Sequence, residues 1–248
     1  MSALPLPPAP ASSPVPAPPA LPGGLALPTG RAAIMGILNV TPDSFSDGGR
    51  YADVTTALAH ARAMIAAGAD LIDVGGESTR PNSTRITPEE EWERIGAVVS
   101  ALAGDGIVVS VDTLHASTAR AAADAGAAII NDVSGGRWDP EMNAAVAQSG
   151  CAYVVQHYRA LPGMPGEHFD YGDDLVGTLI ERVGSQVQDA IDAGVTADKI
   201  VVDPGLGFSL TGDQCWQILR ELPRFAQGGY PVLVGASRKR FVKALEGD

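Results

Sequence analysis

Seven short apolar runs in this sequence each end in residues able to bind a ligand or carry charge. Leu38 is followed by Asn39-Val40-Thr41-Pro42-Asp43-Ser44-Phe45-Ser46-Asp47-Gly48-Gly49, and Val74 by Gly75-Gly76-Glu77-Ser78-Thr79-Arg80-Pro81. The later runs close on Asp112-Thr113, Asn131-Asp132, Gln156-His157, Asp203-Pro204-Gly205 and Gly235-Ala236-Ser237-Arg238-Lys239. One Asp or Asn after an apolar run is a common turn former or helix cap. Seven together point to a shared rim. Asp112 and Asp203 with the amide of Asn131 suit the donor edge of a polar heterocycle, because carboxylates accept hydrogen bonds and an amide both donates and accepts. Arg80, Arg238 and Lys239 bring positive charge suited to a phosphate or carboxylate. Ser237 and the backbone N–H groups at the start of the following helix add an anion site. The first two loops are long and carry no helical pattern, which marks them as functional lids that could order around a bound anion and metal.

The elements that must position these residues follow from the pattern between them. The runs Ala33 to Leu38, Leu71 to Val74, Ile107 to Val111, Ala128 to Ile130, Ala152 to Val155, Ile200 to Val202 and Val232 to Val234 are too short for helices and are bounded by Gly, Asp, Asn or Pro. Longer helical patterns separate them. Asp53 is placed to cap a helix with the face Val54, Leu58, Ala61 and Ile65 that closes at Gly68. Thr87-Pro88-Glu89-Glu90 reads as a capping box ahead of Trp92, Ile95, Val99 and Leu102. Leu175, Leu179, Val183, Val187 and Ile191 trace a third stripe that ends at Gly194. Repeated βα units of this kind predict an α/β fold with a parallel sheet, in which a TIM-type (β/α)8 barrel gathers the C-terminal strand ends on one face. With seven candidate strands, the last strand and helix are expected to be missing from the barrel region, 31–248.

The loops at Ile37 to Gly49, Asp73 to Pro81 and Gly235 to Lys239, taken with Asp112-Thr113, Asn131-Asp132 and Asp203-Pro204-Gly205, resemble the signature segments of dihydropteroate synthases, in the style of the actinobacterial branch. The resemblance runs from about Ala33 to the C-terminus. It implies a transferase of folate biosynthesis, a target of sulfonamides, that condenses 6-hydroxymethyl-7,8-dihydropterin pyrophosphate with p-aminobenzoate. Asp112, Asn131, Asp203 and Lys239 would hold the pterin, with Phe208 beside them, and Asn39 would contact Mg²⁺ bound to the pyrophosphate. Thr79 and Arg80 would contact the phosphates or the second substrate. Phe45, Pro81, Ser237 and Arg238 would form the p-aminobenzoate pocket, and Asp43 would stabilise charge developing on the pterin methylene. Arg80 and Lys239 would join Asp43 in catalysis, which would consist mostly of positioning and leaving-group stabilisation. A homodimer is also implied. The chain departs from the family pattern at Leu210, where Lys is usual, at Gln156, where Met is usual, at Asn82, where Gly is common, and in lacking a closing Arg-x-His-Asp segment.

Composition narrows the alternatives. The 248 residues are 45% hydrophobic, enough for one barrel. A net charge of -12 argues against general affinity for nucleic acid. No apolar run reaches membrane-spanning length, so no membrane partner is expected. The Pro- and Ala-rich stretch 1–30 is expected to be a disordered tail, since dense Pro removes backbone donors and no unbroken apolar signal region is present. The two cysteines, Cys151 and Cys215, argue for a reducing cytoplasm rather than a disulfide framework. Two other readings share parts of this pattern. A pterin-binding methyltransferase domain would not need both the first lid and the Ser237-Arg238-Lys239 turn. A non-catalytic paralogue would not need Asn39, Asp43, Arg80, Asp112, Asn131, Asp203 and Lys239 together.

Overall fold

The computed structural model describes residues 20–21, 25–26, 28, 31–41, 49–78 and 84–243. Asp43, Phe45, Thr79, Arg80 and Pro81 lie outside the described residues, as does most of 1–30. Within that N-terminal stretch β1 (Ala20–Leu21) pairs antiparallel with β2 (Leu25–Ala26).

The apolar runs form a parallel sheet because they are apolar on both faces, and burial on both faces is what a parallel sheet requires. In chain order the elements are β3 (Met35–Asn39), α1 (Gly49–Ala66), β4 (Leu71–Gly75), α2 (Pro88–Gly104), β5 (Val109–Asp112), α3 (Ala116–Asp124), β6 (Ile129–Asp132), α4 (Met142–Ser149), β7 (Ala152–Gln156), α5 (Leu175–Asp192), β8 (Ile200–Asp203), α6 (Gly212–Arg220), α7 (Leu222–Ala226) and α8 (Arg240–Lys243). The six strands β3 to β8 pair in sequence order, each parallel to the next. This is barrel order. The strand expected at Val232 to Val234 is reduced to a parallel bridge from Val232 to Val202, flanked by Val202 N–H to Pro231 O at 2.9 Å and Leu233 N–H to Val202 O at 2.8 Å. Pro231 has no N–H to give to the ladder, which shortens the pairing from its start. Among the described residues nothing joins this segment to β3, and the ring stays open there.

Side chains alternate across the strands with period two. Ile72, Val74, Val109, Val111, Ile130, Tyr153, Val155, Ile200 and Val202 point outward into the main core shared with the helices. Residues of the opposite parity fill the barrel. Its lower layer is apolar, with Leu71, Val108, Ile129, Ala152 and Val154 buried and Met35, Val201 and Leu233 against them. A second apolar cluster lies to one side, where Leu175, Val176 and Leu179 of α5 meet Cys215 and Ile218 of α6, Phe241 of α8, and Tyr171, Leu206 and Leu210. Cys151 belongs to the main core and Cys215 to this smaller one, and both are free and buried.

The helices follow their signals with two differences. Thr87 caps α2 by accepting from the Glu90 N–H at 3.2 Å, with Pro88 at the first position, and Ile95, Val99 and Leu102 are wholly buried. The α5 stripe is buried from Leu175 to Val187. Helix α1 already starts at Gly49, so Asp53 stands in its first turns rather than capping it. A full capping box occurs instead at α6, where Thr211 and Gln214 satisfy each other's backbone N–H groups. No helix among the described residues is long and apolar enough to cross a membrane.

Candidate active site

The same alternation that puts apolar residues low in the barrel lifts polar ones to its C-terminal rim. Asp73 and Ser110 lie side by side in the register, with Asn39, Gly75, Asp112 and Asn131 in the row above. Six of the polar residues read as following a strand are in fact part of it: Asn39, Asp112, Asn131, Asp132, Gln156 and Asp203. These six hold their positions by backbone pairing as well as by loop packing.

Gly75 separates two of them. A Cβ added there would lie 3.6 Å from Asp112 Oδ2 and 3.9 Å from Asn39 Oδ1, so the glycine leaves open the space between the amide and the carboxylate. Asn131 is buried and donates to Asp73 Oδ2 at 3.1 Å, while Ser110 Oγ donates to Asp73 Oδ1 at 2.6 Å. Asp73 therefore fixes which way the Asn131 amide faces. Asp112 accepts no hydrogen bond from the described residues, and its pKa is pushed well above the ordinary carboxylate value, first by burial and then by Asp73, Glu91, Asp132 and Glu77. A donor-rich ligand edge would relieve that cost.

Opposite stands Asp203, buried, accepting from the Gly205 N–H at 2.7 Å. Burial raises its pKa to about 6, against the pull of that N–H and of Lys239. Lys239 is half-buried, donates to the Leu206 carbonyl, and carries its ammonium 4.9 Å from the centre of the Phe208 ring. Its own pKa is lowered by burial, with Asp203 opposing. Gly235 keeps the approach clear, since a Cβ there would stand 3.8 Å from both Asp203 Oδ2 and Lys239 Nζ. Arg238 and Ser237 are exposed in the turn just before Lys239, and Arg238 takes a left-handed φ of 57°.

The structure thus brings together Asn39 and Asp112 on one side, with Asn131 beside Asp112 in the register, and Asp203, Phe208 and Lys239 on the other. Two of the divergent positions have structural roles: Leu210 is buried in the smaller apolar cluster, and Gln156 donates to the Val133 carbonyl at 3.1 Å, while Asn82 lies outside the described residues. The residue reading gave no role to Asp73, Glu77, Glu91, His115 or Asp132. An acid at the centre of an apolar run, as Asp73 is, was the available signal. Glu91 sits in the run Glu89-Glu90-Glu91, which reads as a solvated first turn, yet it is wholly buried.

Residues 35–248 match the family model described as pterin binding enzyme. The chain is 49% identical over 213 residues to a dihydropteroate synthase of Mycobacterium leprae, covering 86% of this chain and 75% of that one. It is 42% identical over 213 residues to one from Synechocystis, covering 86% and 73%. Among solved structures, the dihydropteroate synthase of Xanthomonas albilineans with 4-aminobenzoic acid superposes with a TM-score of 0.79 at 41% identity, covering 88% of this chain and 77% of that one. The Yersinia pestis enzyme in a sulfonamide complex does so with a TM-score of 0.83 at 38% identity, covering 91% and 82%. The order of the strands, the rim they build and these likenesses agree: the chain belongs to the pterin binding enzymes, within their dihydropteroate synthase family.

Proposed function

We propose that this rim carries out dihydropteroate synthesis with the pterin lying between Asp112 and Asp203. The observation that carries this reading is that two carboxylates of raised pKa close β5 and β8 on the same rim, Asp112 accepting no hydrogen bond from the described residues and Asp203 standing beside a half-buried lysine. Both are costly as charged groups in the empty site, and both gain when a ligand supplies N–H donors. Asn131, oriented by Asp73, adds an amide to the same edge. In the reaction the C–O bond from the pterin methylene to pyrophosphate breaks. A C–N bond to the amine of p-aminobenzoate forms, the amine loses a proton, and pyrophosphate leaves. Lys239 places positive charge beside the pterin, while Ser237 and Arg238 present the exposed turn to the p-aminobenzoate carboxylate. Asp43, Phe45, Thr79, Arg80 and Pro81 complete this assignment from the two long loops, by the family resemblance.

A magnesium ion fits the donors present. Among the described residues no three His, Cys, Asp or Glu gather as a metal cage. One amide oxygen, Asn39 Oδ1, opens on the space beside Asp112, and Mg²⁺ characteristically takes few protein ligands and fills its shell with water and phosphate oxygens. Bound there with the pyrophosphate, it would neutralise charge on the leaving group. The two free, buried cysteines suit a reducing cytoplasm, and the family resemblance favours a homodimer, which light scattering after size exclusion would test.

The deciding assay is pyrophosphate release requiring both the pterin pyrophosphate and p-aminobenzoate. Calorimetry beside it should show Mg²⁺ tightening the pyrophosphate substrate and leaving a phosphate-free pterin unaffected. Release without p-aminobenzoate would overturn the transfer reading, and equal metal dependence of both ligands would remove Asn39 from its role.

A further inference from the structure

Between the apolar floor of the barrel and its rim lies a layer that holds two polar side chains. Asp73 of β4 and Ser110 of β5 are partners in the register, and both are buried. One step below them on the same inward faces stand Leu71 and Val108, packed with Ile129 in the lower layer, and these offer no side-chain hydrogen bond. One step above stand Gly75 and Asp112, with Asn131 beside Asp112. Ser110 Oγ donates to Asp73 Oδ1 at 2.6 Å. Asp73 Oδ2 accepts an N–H of Asn131 at 3.1 Å, a bond that runs from β4 to β6 across the inward face of β5. Burial raises the pKa of Asp73, and these two bonds oppose the rise. An acid at this depth is costly, whereas an apolar side chain would fill the barrel without that cost.

We propose that Asp73 is a specificity-determining positioning residue: through Asn131 it fixes the order in which one amide offers acceptor and donor to the pterin, with Ser110 holding Asp73 for that task. This rests on the reading of Asn131 as a pterin ligand. The two ends of an Asn amide have the same shape and opposite hydrogen-bonding character. Packing alone therefore does not choose between them. A carboxylate can only accept, so a reversed Asn131 would set its oxygen against Asp73 and leave two buried acceptors facing each other. The observed order should dominate by more than about tenfold, the size of one hydrogen bond to a charged group. Asn131 spends one N–H on Asp73 and keeps its oxygen and its second N–H for the site. A ligand edge with the opposite order of donor and acceptor would meet the wrong end of the amide.

The test uses the full chain and calorimetry with 6-hydroxymethylpterin, which carries no phosphate. Asp73→Asn keeps the shape and replaces two acceptors by one acceptor and one donor. The Ser110 hydroxyl still needs an acceptor, so it draws the oxygen of the new amide to itself and turns the new N–H groups toward Asn131. Asn131 should then reverse, weakening the pterin about tenfold and raising KM for the pterin pyrophosphate alike, with kcat changed less than about threefold. In an Asn131→Ala background the same change should cost no affinity, since what remains is relief of Asp112 from a neighbouring charge. Adding Ser110→Ala to Asp73→Asn should regain part of the loss, because the new amide oxygen is released to face Asn131. A role in stability alone gives the same cost in both backgrounds and no regain. Either of those results would overturn the proposal, as would unchanged affinity in Asp73→Asn. Nuclear magnetic resonance of the ligand-free wild type needs neither a variant nor activity. One proton of the Asn131 side-chain amide, assigned through bonds to its own backbone, should lie downfield and exchange slowly, and two equivalent protons would equally overturn the proposal. A slow proton in a wild type that binds no pterin would fault the functional reading and leave the orientation by Asp73 standing.

Discussion

At Asp112 burial and four other carboxylates all act against ionisation, and no described donor offsets them. Its pKa is raised in the folded chain, so the folded state loses stability as pH climbs from the unfolded value, about 3.9, to the folded one, and stays at the lower level beyond it. Asp112→Asn removes the charge and keeps the shape. At neutral pH it should raise Tm by about 2 to 4 °C for each kcal/mol of repulsion removed, and flatten the stability–pH curve over that window. The same change should weaken a pterin analogue by about 1 to 3 kcal/mol, since an amide cannot accept from two ligand donors as a carboxylate does. Thermal scans and calorimetry on one preparation check both, and a lowered Tm would show that the neighbouring acids do not act on Asp112 as stated. Asp112, Asn131 and Asp203 were legible as site residues because each stands at a strand end in a repeated pattern. Glu91 and His115 were not, because only packing of α2 and α3 against β5 decides that they are enclosed.

The turn between β6 and α4 shows how an element holds a site residue in place. Asp132 accepts from the Ser134 N–H and hydroxyl and the Gly136 N–H, each at 2.7 Å, and from the Tyr153 hydroxyl at 3.1 Å. The chain then passes through Gly135 at a φ of 55°, where a Cβ would fall 2.8 Å from the Gln156 carbonyl and closer still to Gln186 Nε2. Gln186 is the buried α5 residue that donates to the Gln156 carbonyl at 2.9 Å. Gly135→Ala should therefore cost about 3 kcal/mol, from backbone strain and overpacking together, or roughly 6 to 12 °C of Tm. A loss under 2 °C in a calorimetric scan would mean that the turn relaxes freely. Strand positions were legible from apolar runs, but the ends of β3, β5, β6, β7 and β8 were read short, because the polar residues taken as terminators belong to those strands. The shortening at Val232 was foreshadowed by Pro231 alone, and the early start of α1 had no capping residue to announce it.

The parallel α/β order of the whole molecule was legible because apolar runs alternate with helical stripes over the length of the chain. What no local pattern encodes is closure, and among the described residues the ring stays open between β3 and the Val232 segment, nearly two hundred residues apart in sequence. Nor does it reveal that the apolar interior divides into a large cluster around the strands and a smaller one around α5, α6 and α8.

That division gives the protein two chemical clocks. Cys151 reports on the large cluster and Cys215 on the small one, both thiols have pKa values raised by burial, and they are the only cysteines in the chain. A thiol reagent attacks the thiolate, so neither should react until its own surroundings open. The Val232 segment that leads into the α8 side joins the sheet by one parallel bridge to Val202, whereas Cys151 stands just before β7, which is paired on both sides. In native buffer Cys215 should therefore be modified first, with Cys151→Ser and Cys215→Ser variants assigning the two phases. A single shared rate would instead mean that the barrel and its flank unfold as one cooperative unit.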